Sequence, residues 1–348
     1  PQSIHLDLLD DGIYNKLQTH PEDLYRFIPK DNTEHIVIDE VQKVPALLNS
    51  VHKLIEEKKF KFILTGSSSR KLKKEGVNLL AGRALICHMF PLTVRELGAD
   101  FNLLRALDFG TLPSLLTEES PSKYLESYVR AYIKEEVNSE RLVRSLANFS
   151  RFLEAATFSH ARELVVSNVA KECAVERKVV EDYFSILEDL LLSFRLPVFS
   201  KRAKRELLTK ERFFFFDSGI FHTLRPKGPL DTPEEIRGCS LEGLVCNEIR
   251  ALNSYFSWGL ELFHWRTKKK EEVDLILYGH KSFVAIEIKS SEKVRNDFLE
   301  GLKIFKKDYP TAQAILLYGG EKEYYLDDIQ VVPVVSFLLK PEKYIFKV

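Results

Sequence analysis

The chain has 348 residues, 45% of them hydrophobic and 29% charged, and its 51 basic residues balance its 51 acidic ones. This length and apolar content predict two or three globular domains, and the zero net charge excludes a global electrostatic attraction to nucleic acid. Four scattered cysteines without a C-x-x-C pair exclude a disulfide framework and fit a reducing cytoplasm. No apolar run reaches the roughly 18 residues of a transmembrane helix, so we expect no membrane partner.

The first hundred residues follow an α/β pattern, and its clearest strand is HIVIDEVQ, residues 35–42. Its continuous β-branched run is typical of a strand buried on both faces of a parallel sheet. The run ends in Asp39 and Glu40, at the carboxyl end where such sheets bind ligands. In a nucleotide hydrolase one carboxylate at this place holds Mg²⁺ through its shell and the next polarises a water. The sequence therefore predicts a Walker B strand.

The other half of an ATP site is missing, because the chain contains no GxxxxGK[ST] loop to cradle phosphates. Position 1 is Pro1 instead of an initiator Met, and residues 3–9 alternate like a strand already inside a fold. We therefore expect the strand, loop and helix that carry this motif to precede Pro1. A degenerate ATPase is the alternative, and one sequence does not separate the two.

Further strands and helices alternate along the same region. Pro45 opens an amphipathic helix to about residue 58, and buried strands are expected over 62–64 and about 84–89. The first of these strands ends in polar residues that include Thr65 and Ser67. Alternation of this kind indicates a parallel sheet.

The middle of the chain changes to a helical pattern from about residue 103 to 157, which predicts an all-α lid or linker. From about 160 to 216 the pattern is that of a winged helix. VSNVAKEC indicates a helix capped by Ser167, and ERKVVEDYFSILEDL indicates a second helix after a short turn. Two strand-like runs follow, SFRLPVF and RFFFFDS.

Basic residues in this middle region are the candidate DNA contacts. Arg177 and Lys178 lie on the second helix, and Lys201 and Arg202 begin a basic cluster between the two strand-like runs, where a wing tip would be. The helix also carries acidic side chains, and mixed signs are poor for phosphate contact. The sequence therefore leaves two alternatives for the partner of this winged helix, DNA and a protein.

The last part of the chain, from about residue 237, is again α/β. We expect a helix over 241–255, strands over 261–266, 273–278 and 283–288, a helix over 294–307, and a buried strand at AQAILLY.

Four polar residues in this part form a pattern that suits metal-dependent phosphodiester cleavage. Glu287 and Lys289 are two apart on one strand, so they share a face, while Asp274 begins the preceding strand and Glu242 lies on the preceding helix. Carboxylates can hold Mg²⁺ or Mn²⁺, which generates the attacking hydroxide, and a nearby lysine offsets phosphate charge. A plain amphipathic strand is the simpler alternative.

These stretches together resemble the AAA+-type P-loop ATPases of bacteria and archaea that end in a PD-(D/E)xK nuclease-like domain. The matching segments run in order through nearly the whole chain: HIVIDEVQKVPALL, FILTGSSSRKL, LLAGRA, FPLTVREL, YLESYVRAYIKEEV, FFFFDSGI, LEGLVCNEI, HWRTKKKEEVDLIL and AIEIKSS. The resemblance implies a multi-domain α/β protein. Its parts would be an AAA+-like core without its P-loop (1–100), a helical linker (101–158), a winged helix (159–230) and a restriction-endonuclease-like domain (231–348).

The resemblance also implies residue roles and cofactors. Asp39 would hold the Mg²⁺ of ATP, Glu40 would be the catalytic base, and Thr65 and Ser67 would be sensors. Arg83 would meet a γ-phosphate in its own subunit or in a neighbouring one of a homo-oligomer. Residues that match the nuclease pattern are Glu242, Asp274, Glu287 and Lys289, with Mg²⁺ or Mn²⁺ as their metal.

Two hypotheses follow. In the first, ATP binding and hydrolysis reposition a winged helix and a nuclease-like module on DNA. In the second, both sites are relics, and the protein is a non-catalytic regulator that binds DNA or a protein through the winged helix.

Overall fold

A computed structural model describes residues 3–29, 35–66, 84–133, 137, 143, 145–226, 228 and 231–346. The chain divides into two compact units, one of Pro1–Ile86 with Asp189–Leu191 and one of Cys87–Glu188 with Leu192–Val348. Two predicted site residues, Ser67 and Arg83, lie outside the described residues.

The first unit is built on a three-stranded parallel sheet. Its strands, in sheet order, are β1 (Ile4–Asp7), β2 (His35–Asp39) and β3 (Lys61–Leu64). The helices are α1 (Asp11–Thr19) and α2 (Leu47–Lys58), with 3-10 turns at Pro21–Phe27 and Val41–Lys43. Ile36 and Ile38 of the central strand are fully buried. The predicted parallel sheet is confirmed for these three strands.

The strand expected over 84–89 is wrong, because residues 84–90 adopt neither helix nor strand. Leu85 and Met89 are 93% and 85% exposed. An apolar run becomes a strand only where neighbouring strands complete its hydrogen bonds and cover its side chains.

The second unit begins with the helices expected from residue 103 onward, preceded by one short helix. They are α3 (Val94–Leu97), α4 (Leu103–Phe109), α5 (Pro121–Ser127) and α6 (Leu146–Thr157), with a 3-10 turn at Pro113–Leu116 and a π-helical turn at Tyr128–Ile133. A capping box begins α3: the Thr93 hydroxyl accepts the N–H of Glu96, and the Glu96 carboxylate in turn accepts the N–H of Thr93.

Two further helices and a small antiparallel sheet follow. The helices are α7 (Val166–Cys173) and α8 (Arg177–Asp189), and the strands are β4 (Arg162–Glu163), β5 (Ser193–Leu196) and β6 (Arg212–Phe215), in the order β4-β6-β5. Ala174, with φ of 52°, ends α7 in a left-handed conformation. The predicted cap at Ser167 is wrong, because α7 already begins at Val166 and its capping position, Val165, makes no side-chain hydrogen bond.

The rest of the second unit contains a six-stranded sheet in the order β11-β12-β10-β9-β8-β7. The strands are β7 (Glu261–Arg266), β8 (Glu272–Gly279), β9 (Ser282–Ile288), β10 (Gln313–Tyr318), β11 (Tyr324–Leu326) and β12 (Ile329–Pro333). The helices are α9 (Ser218–Leu224), α10 (Pro233–Tyr255), α11 (Glu300–Asp308), α12 (Val334–Leu339) and α13 (Glu342–Ile345), with a 3-10 turn at Asn296–Leu299. Strands β9, β10 and β12 are parallel, and β7, β8 and β9 form an antiparallel meander.

The connection between β5 and β6 runs along the outer edge of β7 instead of forming a free wing. The N–H of Phe199 donates to the carbonyl of His264 (2.7 Å), and the N–H of Leu208 donates to that of Arg266 (3.1 Å). Phe199 is 1% exposed and its ring meets those of Phe263 and Tyr309 at 5.4 and 5.3 Å. The basic cluster therefore lies against the six-stranded sheet, and its predicted place at a wing tip is wrong.

Within the described ranges, no helix is long and apolar enough to cross a membrane.

Candidate functional site

The carboxyl-terminal edge of the first sheet brings the predicted nucleotide residues together. Asp39 ends β2, and Thr65 follows β3 directly. The two backbones stay paired past the strands, since the N–H of Thr65 donates to the carbonyl of Ile38 (3.0 Å) and the N–H of Val41 to that of Thr65 (3.0 Å). As a result the Thr65 hydroxyl donates to Oδ1 of Asp39.

Glu40 is held in an unusual conformation beside them. Its φ is 57°, a left-handed value that costs a non-glycine residue conformational energy and is often found at functional sites. The N–H of Glu40 lies 3.4 Å from the Thr65 hydroxyl oxygen, and the amide of Gln42 donates to its carboxylate. Gln42 is buried and was not predicted, although its place in DEVQ, two residues after Glu40, is the signal that could have found it.

The donor set fits Mg²⁺-bound ATP. Hard cations prefer carboxylate and hydroxyl oxygens, and Asp39 and Glu40 present carboxylates at the edge where parallel sheets bind ligands. Asp7, which pairs with Asp39 across β1 and β2, lies at the same edge, but its Oδ1 accepts the N–H of Leu9 (2.7 Å), and the described carboxylates do not form a three-ligand metal group by themselves.

The second predicted constellation also converges, at β8 and β9. Lys289 Nζ lies 2.6 Å from Glu287 Oε1 and 3.6 Å from Asp274 Oδ2, and the latter atom accepts the N–H of Ile288 at 2.9 Å. The shared face predicted for Glu287 and Lys289 is confirmed by their ion pair. Asp274 is the third residue of β8, one position further in than expected.

A residue that sequence reasoning missed lies in the middle of this constellation. Arg212, the first residue of β6, is 4% exposed. Its Nη1 is 3.0 Å from Asp274 Oδ1 and 3.3 Å from Glu242 Oε2, and its Nη2 is 3.3 Å from Glu272 Oε2. An arginine next to four phenylalanines was the available signal, because a charge in a buried strand needs a partner.

Burial and neighbouring charges shift the pKa values of these groups. Burial raises the pKa of Glu287 to about 8, and the charge of Asp274 adds to this. The pKa of Glu242 is raised for the same two reasons. Burial alone would raise the pKa of Asp274 as well, but Lys289 and Arg212 hold it below its ordinary value. The cluster thus combines one carboxylate that is stabilised in its charged form with two that resist ionisation.

The predicted metal site is not supported by this geometry. No group of three or more His, Cys, Asp or Glu residues in the described part of the chain is arranged to hold a metal ion. The reason is that the oxygens that would converge on a metal are turned toward Arg212 and Lys289.

The predicted DNA-binding residues differ in how available they are. Arg177 is exposed but paired with Glu181 one turn along α8 (2.9 Å). Lys201 is paired with Glu261 and lies 4.3 Å from the centre of the Tyr278 ring. Lys178 and Arg202 are exposed.

Comparisons with known proteins agree with the N-terminal assignment. Residues 2–98 match a family described as an AAA domain. Residues 101–231 and 237–337 match two domains of unknown function, DUF8612 and DUF4143. These matches support an AAA-type, ATPase-like family, and they show neither a winged helix nor a nuclease.

Similar proteins are found in bacteria and archaea. An uncharacterized protein of Mycobacterium tuberculosis is 26% identical over 318 residues, which is 87% of this chain and 69% of that protein. One of Methanocaldococcus jannaschii is 24% identical over 339 residues, 87% of this chain and 74% of that protein. A Vibrio cholerae protein of known crystal structure aligns with 98% of this chain and 96% of its own, but at 12% identity and a TM-score of 0.25 the likeness carries no argument.

Proposed function

We propose that this protein is an AAA-type ATPase whose nucleotide site controls a DNA-binding second unit. The observation that carries the proposal is the hydrogen bond from Thr65 to Asp39 at the carboxyl edge of a parallel sheet. It lies in the part of the chain that matches the AAA domain. Fixing one carboxylate by a hydroxyl from the neighbouring strand is what a magnesium-holding residue requires, because an oriented ligand loses less entropy on binding.

Each residue of this edge then has a role. Asp39 would hold the Mg²⁺ of ATP through its shell, and Gln42, which donates to the Glu40 carboxylate, would orient Glu40 to accept a proton from water. The ion would supply positive charge against the phosphates. Ser67 and Arg83 keep their predicted roles as sensor and γ-phosphate contact, the latter in its own subunit or across a homo-oligomer.

The proposal requires a phosphate-binding loop from outside these 348 residues, because none of them form GxxxxGK[ST]. ATP turnover is therefore a property to be measured in a preparation that carries such a loop.

The second unit is proposed to be the effector. We interpret the helices α6, α7 and α8 with the sheet β4-β6-β5 as a winged helix, and the adjoining domain as nuclease-like in fold. Arg202 and the lysines of 268–270 provide exposed positive charge for phosphates. The ion pair of Arg212 with Asp274 argues against metal-dependent cleavage by this domain.

Asp39→Ala tests the nucleotide site directly. In a preparation that carries the phosphate-binding loop, we expect it to abolish Mg²⁺-dependent ATP turnover, since the carboxylate proposed to hold Mg²⁺ is removed, while Glu40→Gln should still bind ATP and fail to hydrolyse it. The matched control is Glu57→Gln, an exposed carboxylate on α2 of the same unit. Turnover that stays unchanged in Asp39→Ala would remove the assignment.

A further inference from the structure

The carboxylates of the acidic cluster in the second unit already pair with cationic side chains. Four carboxylates, those of Glu242, Glu272, Asp274 and Glu287, meet Arg212, Arg266 and Lys289 within 3.6 Å. Arg266 also reaches Glu163 of β4 at 3.5 Å. Three cationic side chains thus already pair with these five carboxylates without any added ion.

Arg212 takes the central place among these cations. One of its terminal nitrogens lies between Asp274 and Glu242, which come from β8 and α10, and the other reaches Glu272. A planar guanidinium fits two or more carboxylates at once, which a lysine ammonium does with less geometric constraint. The arginine thus satisfies the carboxylates that a divalent ion would have to share.

The backbone around Arg212 holds it there. Phe213, Phe214 and Phe215, the rest of β6, are 0–1% exposed and pair with β5, so the strand cannot slide without opening a core. Asp274 is equally fixed, since its second oxygen accepts the N–H of Ile288 on β9. Among the described residues, Glu287 Oε2 and Oε1 of the adjoining Glu163 are buried carboxylate oxygens without a hydrogen-bond partner.

We infer that Arg212 is the resident cation of this cluster, occupying the position that the nuclease resemblance gives to a metal and tying β6 to β8. The chain therefore differs from the proteins it resembles, because an arginine side chain takes the place given there to a metal ion. A divalent ion can enter the cluster only after Arg212 has left it. Arg212 is a positioning residue and has no catalytic role.

Mn²⁺ binding to the Asp39→Ala protein without nucleotide is the first test, measured by calorimetry and by electron paramagnetic resonance. The Asp39→Ala background removes the carboxylate proposed to hold metal in the first unit, so the result for the acidic cluster does not depend on the proposed ATPase site. We expect no binding that depends on Asp274. Mn²⁺ binding that is lost in Asp274→Asn would overturn the inference.

Arg212→Ala is the second test. Removing one partner of a buried ion pair leaves unpaired charge, so the thermal midpoint should fall in metal-free buffer. Added Mn²⁺ should restore part of the loss, and the rescue should vanish in Arg212→Ala with Asp274→Asn. An unchanged midpoint, or a fall that Mn²⁺ does not reverse, would contradict the inference.

Two further variants serve as controls for this test. Arg225→Ala removes a buried arginine that pairs with Asp231 elsewhere in the same unit, so its midpoint should fall without any response to Mn²⁺. If Arg212→Ala is recovered only as aggregate, recovery of soluble protein on refolding with Mn²⁺ is the readout. Arg212→Lys, which keeps the charge, should refold without metal.

Discussion

Glu248 on α10 shows how a single buried carboxyl can set a pH dependence in this protein. The side chain is 4% exposed, and its Oε2 accepts the N–H of Val94 at the start of α3 (3.0 Å). Its Oε1 has no hydrogen-bond partner among the described residues. Burial raises the pKa of Glu248 to about 7, while the Val94 N–H opposes the shift.

A group whose folded-state pKa is raised stabilises the fold fully below its unfolded pKa, and that contribution is lost as the pH rises through the folded value. For Glu248 the window runs from about 4.5 to about 7. Glu248→Gln keeps an acceptor for Val94 and has no charge to desolvate. We expect its free energy of unfolding, relative to wild type, to rise across this window by at most about 3 kcal/mol.

Urea denaturation at pH 5 and pH 8 measures this difference. Glu292→Gln, an exposed carboxylate of the same unit, is the control and should change neither value. Stability curves of Glu248→Gln and wild type that run parallel between the two pH values would contradict the expectation.

At the scale of elements, the contact of α11 with β8 depends on a glycine. A Cβ atom at Gly301 would lie 1.9 Å from the carbonyl oxygen of Glu272, so backbone meets backbone at this point. The contact matters for the acidic cluster, because Glu272 begins β8 and its side chain also meets Arg212.

Gly301→Ala should therefore lower the free energy of unfolding by about 1–3 kcal/mol or more, since neither backbone can yield cheaply. Gly238→Ala is the matched control, because it also lies in a helix, α10, but has open space around it. At position 238 the alanine should leave the free energy of unfolding unchanged or raise it by up to about 1 kcal/mol. Chemical denaturation of the two variants compares them, and equal effects would argue against the close packing of α11 on β8.

At the scale of the whole molecule, charge is balanced overall, so DNA binding must depend on local surfaces. Two basic segments from different parts of the second unit lie together: the N–H of Lys268 donates to the carbonyl of Glu206 (3.2 Å), and Leu207 pairs with Thr267. The positive charge of Arg202 is thereby placed beside that of Lys269 and Lys270, while Lys201, Arg205 and Lys268 pair with Glu261, Asp308 and Glu206.

Charge reversal distinguishes this surface from helix α8. We expect Arg202→Glu with Lys269→Glu and Lys270→Glu to weaken DNA binding more than Arg177→Glu with Lys178→Glu, because α8 carries compensating acids. The slope of log K against log salt should fall by about 0.9 for each phosphate that the protein no longer neutralises. Lys53→Glu in the first unit is the control. Fluorescence anisotropy in a salt series measures the slopes, and unchanged slopes for both surfaces would leave a protein partner as the remaining proposal.

Local sequence determined much of the secondary structure. A continuous apolar run placed β2, as is typical of a strand buried on both faces. Two-residue periodicity put Glu287 and Lys289 on one face, and an acidic pair at the end of β2 marked the edge that we propose to bind nucleotide. The wrong strand prediction for residues 84–89 has a physical reason, because an apolar run alone does not determine whether another strand will pair with it and cover it.

Only the tertiary structure decided how the candidate sites are completed. Thr65 meets Asp39 because β3 lies beside β2, and Arg212 meets Asp274 across 62 positions of sequence because two sheets pack together. Strand periodicity is fixed by neighbours along the chain, and the sequence alone therefore determined it. The partner of a buried charge is fixed by packing between distant elements, so the contact of Arg212 with the acidic cluster became visible only in the folded protein.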